Sequence, residues 1–182
     1  MTTTRKFQLI FYSVIGLCIL TMIFAFTLFD FIEIDTATGW TIKYFALPIL
    51  LILTPICTLI YLKFIKQKET KEYKSKIATN LRTVFRIITL TIAMTIIFVP
   101  TTLSLIILSN AFLGDSKQIT LNATIIDYYQ TENRGKTSYY IKIQDGQLNK
   151  TIKLSVNKPY KVGQTFNKAM LIGHWGLLYS KR

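Results

Sequence analysis

Three long stretches without a single charged side chain constrain this sequence more than any motif in it. Between Lys6 and Asp30 lie 23 such residues, between Lys43 and Lys63 lie 19, and between Arg86 and Asp115 lie 28. About 20 residues of apolar helix cross the hydrocarbon core of a bilayer. A helix in a water-soluble core seldom stays uncharged for so long, because one of its faces meets water. The expected architecture is therefore a membrane α-helical protein with three transmembrane helices in 1–114. The different pattern of 115–182 adds a small C-terminal antiparallel β domain.

Charge distribution suggests an orientation. The 63–86 segment holds eight Lys/Arg against two Glu, and Arg5 and Lys6 precede the first run. The intervening 30–43 segment carries three acids and one Lys. Short basic loops stay on the cytoplasmic side. The N-terminus and the 63–86 loop are thus expected inside, with 30–43 and the β domain outside. The tail is also basic, with eleven Lys/Arg and four acids, but long domains cross largely regardless of charge. The first run exceeds a signal-peptide core, and no A-x-A-like site follows it, so it reads as an uncleaved anchor. The expected location is a bacterial cytoplasmic (inner) membrane.

Within the runs, Cys18 and Cys57 lie among apolar neighbours and read as small hydrophobes. Pro48, Pro55 and Pro100 each remove a backbone donor, so kinks are expected there. Thr91, Thr95, Thr102 and Ser109 recur at helical spacing on the third helix. Small hydroxyl residues in that pattern make either a close helix-packing seam or a polar pore-lining stripe. Tyr73, Ile77, Leu81, Val84 and Phe85 share one face amid Lys and Arg. That segment is expected to lie on the anionic inner leaflet before joining the third helix. Topology and leaflet charge account for these cations without nucleic acid, which is not an expected partner.

From Ser116 the period changes to two. Ile119, Leu121, Ala123 and Ile125 alternate with polar residues, as do Tyr139, Ile141 and Ile143, and then Ile152, Leu154 and Val156. Glu132 to Lys136 and Asp145-Gly146 read as turns, the latter a strong hairpin signal. A last hairpin is expected from Lys168 to Ile172 through Gly173-His174-Trp175-Gly176 to Leu177–Tyr179. About five short strands result, arranged as a barrel or roll. With the Val162-Gly163-Gln164-Thr165 and Gly173…Gly176 turns, this layout resembles the small β-barrel or open β-roll domains of some bacterial membrane-anchor proteins of unassigned function. The resemblance covers the tail alone, and its motifs lend no functional residues.

The chemistry is sparse. His174 is the one histidine, with no second His, no cysteine and no acid beside it to build a metal site. No nucleophile elbow, phosphate-cradling glycine loop or dinucleotide fingerprint occurs. None of the three runs carries an ionisable Asp, Glu, Lys, Arg or His, which argues against intramembrane catalysis and proton coupling. The Asn-x-Thr triplets at Asn122 and Asn149 fall in or beside strands and read as chance. The expectation is a non-enzymatic protein without metal or cofactor. The tail's tyrosines and net positive charge nominate a binding surface, with Tyr140, Tyr160, His174 and Trp175 as its candidates. The expected role is display of a basic β domain to a protein partner or envelope component, as an envelope-complex accessory or a toxin immunity protein would do. A pore or transport subunit, acting through self-association, is the alternative.

Overall fold

The computed structural model describes residues 3–66, 75–113, 116–133, 136–145, 150–156 and 158–181. Among the described residues, three helices are long and apolar enough to cross a membrane. Helix α1 runs Thr3–Thr27. Helix α2 runs Ile34–Ile65, and helix α3 runs Lys76–Phe112. The chain forms two compact units. One comprises Met1–Phe26 and Thr38–Ile106, the other Thr27–Ala37 and Ile107–Arg182.

In the helical unit, α2 widens into π-helical turns at Thr41–Ala46 and Tyr61–Ile65. The first lies directly before Pro48, at the start of the α-helical stretch Leu47–Ile60, and Pro55 lies inside that stretch. A proline that cannot donate to the preceding turn leaves carbonyls without their usual partner, and a wider turn is one way to absorb this. Leu53, Cys57 and Met94 form the packed centre, with Phe11, Ile49, Leu90 and Phe98 against them. The Phe7 and Phe64 rings stack with centroids 3.9 Å apart. Ile77, Leu81, Val84 and Phe85 are exposed on the first turns of α3, which continues unbroken through Arg86. The inner-leaflet segment expected there is thus part of the long helix from Lys76 onward, and Tyr73 lies outside the described residues.

The second unit is a nearly closed, barrel-like antiparallel sheet of six strands. They are β1 Phe29–Ile32, β2 Lys117–Asn133, β3 Lys136–Asp145, β4 Lys150–Val156, β5 Thr165–Ile172 and β6 Leu178–Lys181. Their order across the sheet is β1-β6-β5-β2-β3-β4. Five come from the tail, as the alternation predicts. The sixth corrects that count, because β1 comes from the segment between α1 and α2. Phe29 is buried there, edge-to-face with Tyr179 at 5.5 Å, and Phe31 packs on the sheet's core. Burying two aromatic rings, and pairing backbone groups with β6, draws this short segment into the sheet.

The long strand β2 sets the curvature. Its first half pairs with β5 and its second with β3, overlapping at Ala123 and Thr124. A register shift between Ile125 and Asp127 inserts an extra residue, and such bulges bend a strand and increase its twist. Beyond the bulge, Tyr128 rather than Asp127 packs toward the core. Leu121, Ala123, Ile125, Ile141, Ile143, Ile152, Leu154, Phe166, Met170 and Leu178 fill the interior. The turns expected at 132–136 and 145–146 lie largely outside the described residues. Gly163 takes a positive φ of 85°, which other residues reach only under strain. Its N–H donates to the Ile125 carbonyl at 2.8 Å, so the Val162–Thr165 turn is pinned beside the bulge.

Candidate functional site

The sheet brings together residues far apart in the sequence at three places. The first is the seam where the barrel fails to close. Strands β1 and β4 are the two outer strands of the sheet and pair with β6 and β3 respectively. A cleft of about 370 Å³ lies there, lined by Asp30 of β1, Leu154 and Val156 of β4, Phe166 and Lys168 of β5, and Lys158 and Tyr160. The floor is apolar, since Leu154 and Phe166 belong to the core. Its rim is cationic. The Lys168 ammonium donates to the Asp30 carboxylate at 3.2 Å, while Lys158 reaches over the Tyr160 ring at 5.4 Å. Tyr160 is held edge-to-face on Phe166 at 5.7 Å. The cleft can accept an apolar side chain below and an anionic group above. Asp30 and Lys168 partly neutralise each other, so Lys158 supplies much of the accessible charge.

The second place is the outer face of β2 and β3. Tyr129 and Tyr140 sit opposite each other, with rings stacked at 5.1 Å. The ammonium of Lys153, on β4, hangs over both, 4.8 Å from Tyr129 and 5.3 Å from Tyr140. Beside it Lys142 and Asp127 form an ion pair at 3.4 Å. Such a cation and its aromatic ladder favour one another by about 1 kcal/mol when exposed.

The third is the turn between β5 and β6, locked onto the last turn of α3. The buried side chain of Asn110 accepts from the N–H of Trp175 at 2.9 Å and of Leu177 at 3.3 Å. It donates through Nδ2 to the Leu177 carbonyl at 3.0 Å. The Asn110 carbonyl accepts from the His174 N–H at 2.9 Å. The indole N–H of Trp175 donates to Ser109 Oγ at 2.9 Å. Gly173 has to be glycine, since a Cβ there would stand 2.0 Å from the Asn110 carbonyl oxygen. Glu33 makes a comparable junction at the start of α2. Its carboxylate accepts from the Leu178 N–H at 3.1 Å and from the Thr36 hydroxyl.

The four surface residues predicted from sequence are therefore dispersed. Tyr140 lies in the ladder, Tyr160 in the seam, and His174 and Trp175 in the clamped turn. Of the hydroxyl stripe, Ser109 meets Trp175, and Thr91 is buried. Thr95 and Thr102 are half-buried and donate to the carbonyls of Thr91 and Phe98 at 2.8 and 2.9 Å. Thr101 and Ser104, one step around the helix, are more deeply covered. The residues missed by sequence reading are Asp30, Glu33, Asn110, Lys153, Lys158 and Lys168. Asp30, Glu33, Asn110 and Lys168 act through partners 65 or more residues away, and Lys153 and Lys158 through tyrosine rings that only the folded sheet brings under them. Among the described residues no group of three His, Cys, Asp or Glu converges to hold a metal. No protein-family model matches the chain, and the searches of curated proteins and of solved structures gave no match either.

Proposed function

We propose that this chain is a multi-pass protein of a bacterial cytoplasmic membrane that holds a basic β domain outside the cytoplasm as a non-enzymatic binding module. Its partner is an acidic protein or an anionic envelope component, in an envelope-complex accessory or immunity role. The observation that carries the reading is the seam cleft, where Lys158, Tyr160 and Lys168 rim an apolar floor between two strand edges that pair with no other described strand. The short-segment charges support the orientation: a basic 63–86 and an acidic 30–43. The alternative of a pore subunit draws less support from its stripe, because Thr95 and Thr102 direct their hydroxyls to carbonyls of their own helix.

The test uses the full chain in lipid nanodiscs, since the segment 115–182 alone lacks β1 and Asn110. Poly-L-glutamate labelled with a fluorophore should bind at low salt and weaken as ionic strength rises, with exposed charges screened beyond about 10 Å at 0.1 M. The Lys158→Glu variant should weaken binding about tenfold, equivalent to about 1.4 kcal/mol. Absence of binding at every salt concentration would end the reading. For orientation, a Thr137→Cys variant in spheroplasts should react with an impermeant thiol reagent while Lys76→Cys stays protected. The opposite labelling would invert the topology.

A further inference from the structure

We propose that the seam of the barrel is a strand-acceptor site, and that its ligand is an extended acidic polypeptide segment adding to the free edge of β4. The inference rests on the binding-module reading and specifies its site and the form of its partner. Strand β4 is paired along its whole length with β3, from Tyr139↔Val156 to Asp145↔Lys150, and its other edge pairs with no described strand. Every second residue of such an edge turns its N–H and C=O outward, where an incoming backbone can pair with them. The facing wall across the cleft is the end of β1 at Asp30, so the opening lies where a further strand would lie.

Charge decides among occupants. Lys153 stands outward on β4, directly opposite Lys142, and Lys158 and Lys168 rim the cleft. A second copy of this chain pairing through its own β4 would bring those lysines against each other, an arrangement by which natural sheets resist self-association. An extended segment carrying carboxylates on its outward positions instead runs beside Lys158 and beside Lys153, whose ammonium rests over Tyr129 and Tyr140 and can swing toward it, while Lys168 stays with Asp30 on the inward side. Its alternate side chains point inward, over Leu154 and Phe166, so apolar residues fit there. The recognised pattern is thus acidic and apolar in strict alternation. The backbone supplies affinity, while the lysines and the apolar floor supply selectivity. A flexible anionic polymer without amides satisfies the lysines but has no means to pair with the β4 edge.

The experiment compares three probes on the full chain in nanodiscs: an octapeptide alternating Glu and Val, and its two forms N-methylated at every Glu or at every Val. Methylation removes donors along one edge of the peptide and leaves its charge unchanged. The unmodified peptide should bind, and both its N-methylated form, with methyl groups on the pairing edge, and the Lys153→Glu variant should lose about tenfold or more in affinity. If both N-methylation registers bind as tightly as the parent peptide, strand addition is overturned while anion binding by the module stands. If neither peptide nor poly-L-glutamate binds, the module reading falls with it. Concentration-dependent dimers of the chain that are dispersed by Lys153→Glu would overturn the proposal in favour of a second copy.

Discussion

The helices and the sheet of this protein solve the same problem in opposite directions. In the most apolar stretches of the three helices only 11%, 17% and 28% of residues are buried, and large side chains such as Leu17, Leu51 and Leu59 point outward, Leu59 being 67% exposed. In the sheet the order is reversed. Ile141 and Ile143 are fully enclosed, while Thr120, Asn122 and Thr124 face out. A surrounding of lipid suits the first arrangement, because water would penalise each exposed leucine by about 2 kcal/mol. Polar groups follow the same division. Hydroxyls on the helices at Thr54, Thr58, Thr89 and Thr101 turn back to carbonyls four residues earlier, an arrangement that leaves no hydroxyl proton in need of water. In the second unit buried polar groups bridge elements instead, as Asn110 of α3 and Glu33 before α2 do where they meet β6 and the turn before it.

Substitutions can break this contrast. The largest effect is expected inside the sheet, where Ile141→Ala should cost about 4 kcal/mol through lost burial and a residual cavity, seen as earlier proteolysis of the sheet in nanodiscs. Next comes Leu51→Asp on the outward face of α2. It should oppose insertion by about 3 kcal/mol, read as a smaller membrane-inserted fraction. Placing the same acid on the sheet's outward face, by Thr124→Asp, should change stability by less than about 0.5 kcal/mol. Equal effects at Leu51 and Thr124 would mean that both outward faces meet water. Gly173→Ala should cost about 3 kcal/mol, because its new methyl meets a backbone oxygen rather than a side chain that can turn aside. Asn110→Leu, which strands two N–H donors, should cost about 2 kcal/mol. A small change is expected for Asp30→Asn as well. Its ion pair with Lys168 is well exposed, so less than about 1 kcal/mol is expected, with unchanged melting and a modest gain in poly-L-glutamate affinity.

The parts of the structure that repeat a local pattern were legible in the sequence. Uncharged length marks α1, α2 and α3, and alternation marks the tail strands around Leu121, Ile141 and Leu154. Strand β1 was not legible. Its four residues, Phe29–Ile32, are too few to establish a period, and their aromatics resemble an interfacial belt at a helix end. The extension of β2 to Asn133 was hidden by its bulge, which moves Tyr128 onto the inward face after Ile125 and breaks strict alternation. The candidate site was legible in kind, since tyrosines and lysines in the tail point to a surface. Its location was not, because the Asp30–Lys168 pair and the neighbouring β1 and β4 edges exist only once the sheet has curved.

The pairing of β1 with β6 also sets a schedule. Phe29 lies opposite Lys181 and Ile32 opposite Tyr179, so the partner of β1 is translated roughly 150 residues later. At about 5–20 residues per second this is on the order of ten seconds. Through that interval β1 has no sheet to join, and two helices must be made between its synthesis and its closure. A contact of such long range is slow to form. The β2–β3–β4 meander, whose pairings are local, is placed to form first, with β5 and β6 added to it. β1 is then a latch, engaged only by a sheet already built, and a chain whose β1 has engaged β6 is one whose helices and strands have both been made.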